Sequence, residues 1–511
     1  MNDQSKANEA KHQHWSTWLA QKVISEKKEP YVISGGMTTS GPAHLGTLCE
    51  FLFPSVIRDA LKKEGKDSKF YFVADILDAF DSVPLDMEVH KAFLEPHLGK
   101  PLCFVPDPTK TSKSFGDFYL DEAHALMKKF HVEPQLIRIN EYYEQGKFDD
   151  WAKFYLKNEA ETRKIVEETS GKAEKKDWSP IQPICQGCGK IATTRVLSHT
   201  VDEYSYVCDK DVKYTKGCGF SGKNKISDHK YKLVWRLHWP AWKQIFGTSI
   251  EGAGIDHHTK GGSEDTCCAI TTQLFKKEHE ITYRYGFILF QGKKYSKSKG
   301  IGMGVRDMVK LLPPEVIKYI LVRPDLEENI DIDPNPENLL KSLEDFEGSS
   351  KLDQSKMEEM NRADRKRAIA FSLCTKKLHW VSFLDLLLYY QIYQNWEQVA
   401  KKTGDVEGSK YLAPFIEEWI RRDFIPEEYK FKYQPKKDAP KHVKDLISSL
   451  NDSMDALAIH HATFEFSKAH SIEPKQMFAD IYKSLLGKEK GPRAGKLIAA
   501  LTPSRIKSDL S

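Results

Sequence analysis

The sequence predicts an α/β protein in which a doubly wound parallel sheet is interrupted by a cysteine-bearing insertion and followed by an all-helical region. Three observations predict it. Two apolar, β-prone runs near the N-terminus each empty into a glycine-rich or acid-rich loop, four cysteines gather mid-chain, and helical spacing is nearly continuous after Pro313-Pro314. At 511 residues the chain exceeds the roughly 250–300 residues at which a single core stops growing, so two or three domains are expected.

The first run, Tyr31-Val32-Ile33-Ser34, meets a Gly, Thr and Ser-rich turn over 35–41, after which 44–65 reads as largely helical. The second, Phe70 to Ala74, ends in acids at Asp75, Asp78 and Asp81, as a buried parallel strand does where it opens into a site. From about Leu120 the pattern turns helical and polar, through 122–129 and again 151–168. Strand-like segments resume after Leu233, with 249–255 and 283–290 as candidates, so the middle is an insertion into a Rossmann-like sheet completed by about residue 310. The expected divisions are 1–119 and 231–310 for the two halves of the sheet domain, 120–230 for the insertion, and 311–511 for the helices. Helices are expected over 315–322, 336–346, 364–378 and 382–402, with 436–444 a basic, proline-containing connector.

Hydrophobic residues at 40% and charged residues at 29% suit a globular protein, and no apolar run approaches the ~20 residues a bilayer span requires. The opening Met1-Asn2-Asp3-Gln4 lacks the apolar stretch of a secretory signal, and nine cysteines in so long a chain suit a reducing compartment; a cytoplasmic location is expected. With 77 basic and 73 acidic residues the net charge is only +4, so total charge does not argue for a nucleic-acid partner.

Two segments together carry the strongest chemistry: Thr39-Ser40-Gly41-Pro42-Ala43-His44-Leu45-Gly46-Thr47, and far downstream Lys294-Tyr295-Ser296-Lys297-Ser298-Lys299-Gly300. A glycine-rich turn that opens a helix offers free N–H groups and the positive end of the helix dipole to a phosphate, and His44 adds a donor. Lys294 and Lys297 supply mobile ammonium groups for the charge that develops on a leaving pyrophosphate. Taken alone, the first is a chance His-x-Gly and the second a solvated loop; their joint presence in this order favours a nucleotide site. Cys185-Gln186-Gly187-Cys188 with Cys208 and Cys218 has the residue types for a closed, structural Zn²⁺ site, although the nine residues between the last two make it looser than a ribbon. A redox pair or buried free thiols is the alternative, and His199 is a possible substitute ligand.

These two segments resemble the HIGH and KMSKS signatures of class I aminoacyl-tRNA synthetases. The stretches between and beyond them resemble the class I lysyl-tRNA synthetase family: Gly99-Lys100-Pro101-Leu102 with Val105-Pro106-Asp107-Pro108, Trp235-Arg236-Leu237-His238-Trp239-Pro240, Asp256-His257 with Gly261-Gly262-Ser263, and Leu486-Gly487-Lys488-Glu489-Lys490-Gly491-Pro492-Arg493. The resemblance implies a lysine–tRNA ligase using ATP with Mg²⁺, a structural Zn²⁺, tRNA(Lys) as partner, no membrane, and a monomer. It implies catalytic roles for His44, Thr47, Lys294 and Lys297, and ATP contacts from Gly41, Pro42, His44, Gly46, Asp256, Lys294, Ser296 and Lys297. Gly36, Thr38, Trp235, His257 and Tyr285 match residues that line the family's lysine pocket, while Trp235 and Tyr285 could equally be core aromatics. Asp78 and Asp81 are the leading acids for the lysine ammonium, with capping or support of other residues as the alternative. His238, Ile255 and Thr47 depart from the family pattern, which usually has Asp, Lys and often Asn there.

By the same resemblance the C-terminal helices read the anticodon. Trp380, Tyr389, Tyr390, Tyr393 and Trp396 are candidate stacking platforms or core residues, and Lys488, Lys490, Arg493 and Lys496 a phosphate-facing patch or a solvated terminus. Rival readings are a glutamyl- or cysteinyl-type synthetase, a small-molecule nucleotidyltransferase, and an inactive RNA-binding paralogue. The absence of Arg or Lys over 33–43 argues against a glutamate site.

Overall fold

The computed structural model describes residues 13–294, 304–375 and 380–511, with Lys294 described by its backbone alone. The chain divides into two compact units: Met1–Arg306 with Lys318–Ile332 and Met360–Cys374, and Asp307–Ile317 with Asp333–Glu359 and Thr375–Ser511.

The first unit is built on a five-stranded parallel sheet. Its strands are β1 (Tyr31–Met37), β2 (Ser68–Ala74), β3 (Gln135–Arg138), β9 (Ile250–Gly254) and β10 (Ile281–Tyr285), in the order β10-β9-β1-β2-β3. The chain runs from β1 outward to one edge and returns to fill the other, so the switch in strand order falls between β1 and β9. A ligand crevice is expected at the carboxyl ends of those two strands. Tyr31, Val32 and Ile33 are all buried, as befits a central strand covered on both faces. Helix α1 (Trp15–Glu26) packs on α2 (Leu45–Lys63), and α2 packs on β1 and β2.

A proline inside α2 shapes this contact. Pro54 has no N–H to offer the carbonyl of Glu50 one turn earlier. That carbonyl faces β1 at Gly35, where a Cβ would sit 2.5 Å from it. Strand and helix therefore approach more closely here than any side chain at 35 would permit.

Helix α3 (Phe115–Lys129) is capped by Ser114, whose hydroxyl accepts from the amide of Asp117 at 3.1 Å. Strand β3, which pairs with β2, follows where the polar pattern gave no strand. Helices α4 (Asp149–Lys157) and α5 (Glu159–Ser170) lead into the cysteine-bearing part. There β4 (Ile181–Pro183) pairs antiparallel with β8 (Tyr231–Leu233), and β5 (Thr194–His199), β6 (Glu203–Cys208) and β7 (Ser221–Lys225) form an antiparallel meander. Helix α6 (Trp235–Phe246), then β9, α7 (Ser263–Ala269) and β10 complete the sheet.

The single strand expected over 283–290 is two. The chain breaks at Gly286, whose backbone lies against the Glu328 carbonyl, and β11 (Ile288–Phe290) pairs in parallel with β12 (Ile330–Ile332), a strand in a stretch expected to hold only helices. Three residues are too few for a period to declare itself.

The second unit is all-helical among its described residues, including Pro336–Ser350, Phe383–Tyr393, Trp396–Thr403, Val406–Arg421, Ala456–Ala469 and Pro474–Leu486. The helix expected over 382–402 breaks at Gln394, whose φ of 49° is left-handed, and restarts on Asn395, whose side chain caps the amide of Gln398 at 3.0 Å. Trp419 is fully buried, and its indole donates to the Leu311 carbonyl at 2.8 Å. Among the described residues no helix is long and apolar enough to cross a membrane.

Candidate active site

His44 is the N-cap of α2. Its Nδ1 accepts from the amide of Thr47 at 3.1 Å, and the Thr47 hydroxyl accepts from the amide of His44 at 3.2 Å, closing a capping box. This fixes the imidazole at the carboxyl end of β1 with its proton on Nε2. Thr47 is buried and holds the cap. Gly46 stands tight against the His44 ring, 3.0 Å from where its Cβ would be, so the loop from Gly41 through Pro42 to Gly46 leaves the helix N-terminus open to an anion.

Beside it, Thr38 donates to Asp78 at 2.7 Å. Asp78 in turn meets Lys232, and Lys232 also binds both oxygens of Asp75 at 2.9 and 2.7 Å. The Lys232 side chain is almost wholly buried, and its neighbouring carboxylates raise its affinity for the proton against the cost of that burial. His238 lies against the same cluster, 3.6 Å from Asp75 and 2.9 Å from the Tyr143 hydroxyl. Burial, with Lys232 beside it, holds its pKa well below the usual value, so a neutral imidazole occupies the position where the family has a carboxylate. Asp78 is thus committed to Lys232, while Asp81 is exposed and bonded to Ser82. Asp78 therefore takes the supporting role that was the alternative reading, sharing one ammonium with Asp75.

A more sheltered acid lies on α2. Glu50, two turns into α2 and four residues before Pro54, is hydrogen-bonded by the Tyr285 hydroxyl from the end of β10. No described cation pairs with it, and burial, with Glu251 and Asp256 nearby, pushes its pKa up to about 8 despite the Tyr285 bond. Glu251 on β9 accepts from Ser34 at 2.8 Å and from the indoles of Trp239 at 3.2 Å and Trp242 at 3.4 Å. Gly36, Gly252 and Gly254 leave room at the strand ends: a Cβ on Gly36 would lie 2.7 Å from the Val73 carbonyl, and one on Gly252 would strike the Tyr283 ring.

Aromatic residues wall the other side. Trp235 stacks on Trp239 at 5.3 Å, and His257 lies 6.3 Å from the first ring and 5.8 Å from the second. The Trp235 indole donates to Ser263 at 3.1 Å, tying α6 to α7. The structure therefore brings Trp235 and His257 together, sets Tyr285 on Glu50, and places Asp256 just past β9. At Ile255, where the family has Lys, the amide bonds the Tyr285 carbonyl at 2.9 Å and continues the sheet. Ser296 and Lys297 lie outside the described residues, as does the side chain of Lys294.

The four cysteines converge. Cys185 and Cys218 stand 3.6 Å apart, Cys188 and Cys208 3.7 Å, and all four sulfurs lie within 4.8 Å of one another. A tetrahedron with Zn–S bonds of about 2.3 Å has edges of about 3.8 Å, so the set fits Zn²⁺ with no position left for substrate. Gly189 and Gly219 adopt positive φ and let both knuckles turn. His199 is not a ligand: its Nε2 is bonded to Glu159 at 2.8 Å.

A parallel sheet bearing a histidine-capped helix at its switch point, with acids and tryptophans gathered alongside, is the architecture of a nucleotide-binding, amino-acid-activating protein of the Rossmann type. The chain belongs to the family described as tRNA synthetases class I (K), whose profile matches residues 13–375. It is similar to the lysine–tRNA ligase of Archaeoglobus fulgidus, with 29% identity covering 96% of this chain and 97% of that one. The corresponding proteins of Methanosarcina barkeri and Thermoplasma acidophilum are each 27% identical, covering 95% and 94% of this chain and 95% of each relative.

Proposed function

We propose that the protein activates lysine with ATP and transfers it to the 3′ end of tRNA(Lys). In the first step the lysine carboxylate attacks the α-phosphorus and pyrophosphate leaves. In the second a terminal ribose hydroxyl takes the lysyl group and AMP leaves. The nucleotide's phosphates lie at the N-terminus of α2 over Gly41, Pro42, His44 and Gly46, with Mg²⁺ accompanying them and Asp256 at the nucleotide's edge. Lys294, Ser296 and Lys297 meet the charge that develops on the leaving group. Gly36, Thr38, Trp235, His257 and Tyr285 enclose the amino acid. Glu50 takes the ε-ammonium, because it is a sheltered carboxylate with a neutral donor and no described cation paired to it. The four-cysteine site holds Zn²⁺ as a structural ion, and the second unit receives the tRNA. The chain acts as a monomer in the cytoplasm.

Glu50 is the observation that carries the choice of lysine. A glutamate pocket would present a cation here, whereas Glu50, Glu251 and Asp256 are the charges that bear on one another around β9 and β10. Amino-acid-dependent pyrophosphate exchange with each of the twenty amino acids, with and without tRNA, tests the reading. Lysine alone should support exchange. Exchange driven by glutamate, or lysine-independent turnover of a small phosphorylated substrate, would replace it with one of the rivals.

A further inference from the structure

The first unit holds a second group of metal-ligand side chains, apart from the four cysteines. Glu264 and Cys267 lie one turn apart on α7, and His279 and Glu280 immediately precede β10. The donor atoms of Cys267, His279 and Glu280 all fall within 4.8 Å of one another. His279 Nε2 is 3.3 Å from Glu264 Oε1 and 3.3 Å from Glu280 Oε1. None of these three atoms makes a hydrogen bond of good geometry, although the two glutamate side chains are more than nine-tenths buried and Cys267 is fully buried. Glu280 Oε1 has the Lys243 ammonium beside it, but Glu264 Oε1 and His279 Nε2 are buried polar atoms without a well-formed partner, which is costly.

The geometry points to a mixed-ligand Zn²⁺ site formed by Cys267, His279 and Glu280, with Glu264 beside His279. Bonds of about 2.0–2.1 Å to nitrogen and oxygen give a tetrahedron edge of about 3.4 Å, close to the 3.3 Å separation of the histidine from Glu280. A thiolate, an imidazole and a carboxylate form a borderline-soft set that suits Zn²⁺ over Mg²⁺ or Ca²⁺. Lys243 completes the balance. It approaches Glu264 by the other oxygen, Oε2, at 3.3 Å and pairs with Glu280 at Oε1, while its ammonium lies 4.0 Å over the Trp239 ring. A carboxylate oxygen has two lone pairs, so Glu280 Oε1 can serve the ammonium and an ion together. With the ion bound, its two charges and that of Lys243 offset one thiolate and two carboxylates, leaving a neutral buried cluster. The ion would clamp α7 to the start of β10, and through Lys243 and Trp239 would steady the indole that donates to Glu251.

Metal stoichiometry of the full-length protein tests this, with Co²⁺ exchanged for the native ion and metal per chain measured by mass spectrometry. The wild type should bind two ions per chain. Paired Cys185→Ser and Cys188→Ser substitutions should leave one ion, whose visible spectrum has a single thiolate ligand. Cys267→Ala and His279→Ala should each leave one ion with the four-thiolate spectrum. One ion per wild-type chain that disappears with Cys185 and Cys188 overturns the proposal, even if neither of the other variants folds. Two ions retained in Cys267→Ala overturns it equally.

Discussion

Substituting Glu50 by Gln should abolish a proton release that accompanies lysine binding. With a pKa of about 8, Glu50 is protonated in about ten molecules of eleven at pH 7. An ε-ammonium needs the ionised form, so binding at pH 7 should expel about 0.9 proton per lysine. By the same fraction, the apparent affinity should be roughly tenfold weaker at pH 7 than on its plateau well above pH 8, where the ε-amine is still charged. Calorimetric titration of lysine in two buffers of different ionisation enthalpy measures the release directly. In Glu50→Gln the release should vanish, lysine KM should rise on the order of 10²-fold or more, and ATP KM should stay within about twofold. The stability of the ligand-free protein carries the opposite sign. A carboxyl whose pKa is raised on folding favours the native state below its unfolded pKa of about 4.5, and that contribution is lost as pH rises through about 8. Lysine binding unaccompanied by proton release, or the same release from the Gln variant, would refute the assignment of Glu50.

Other substitutions separate structure from chemistry. His44→Ala should lose about 1 kcal/mol of stability with the helix cap, whereas His44→Asn should retain the cap by urea denaturation and still lose adenylate formation. Lys297→Ala should lower pyrophosphate exchange by about 10²- to 10³-fold at unchanged Tm; wild-type exchange in this variant contradicts its role. Cys208→Ser should release the four-thiolate zinc, read by a chromogenic chelator, and make the segment between Cys185 and Lys225 protease-sensitive while ATP binding persists. Trp419→Phe leaves the Leu311 carbonyl without its donor in the second unit and should cost about 1–3 kcal/mol; a denaturation midpoint equal to wild type argues that the carbonyl finds another partner.

What could be read from the sequence was what the chain encodes locally. The histidine turn announces itself because a cap, a glycine and a helix start lie within a few residues, and the four cysteines do so because a knuckle is short. Strand β3 and the β11–β12 pair were hidden, since four- and three-residue strands cannot display a period and take their identity from a partner far along the chain. Glu50 was hidden for a related reason. On the helix it is one acid among apolar neighbours, and only the close approach at Pro54 and the arrival of Tyr285 from β10 give it a sheltered position and a donor. For Asp78 the sequence left two roles open, and what decides between them is Lys232, over 150 positions later, whose ammonium it shares with Asp75.

The three-way contact of Lys232 with Asp75 and Asp78 also limits how this protein can be recombined with its relatives. The lysine sits on β8, which pairs with β4 at the base of the cysteine-bearing part, and the two aspartates follow β2, so the salt bridges straddle the seam along which a swap would be cut. A chimera that imported the insertion without a cation at that position would leave Asp75 buried without its ammonium partner, and one that imported the cation alone would bury a lone ammonium. Exchanges between homologues should therefore fail unless both sides of the seam travel together, however well the zinc knuckles themselves are matched.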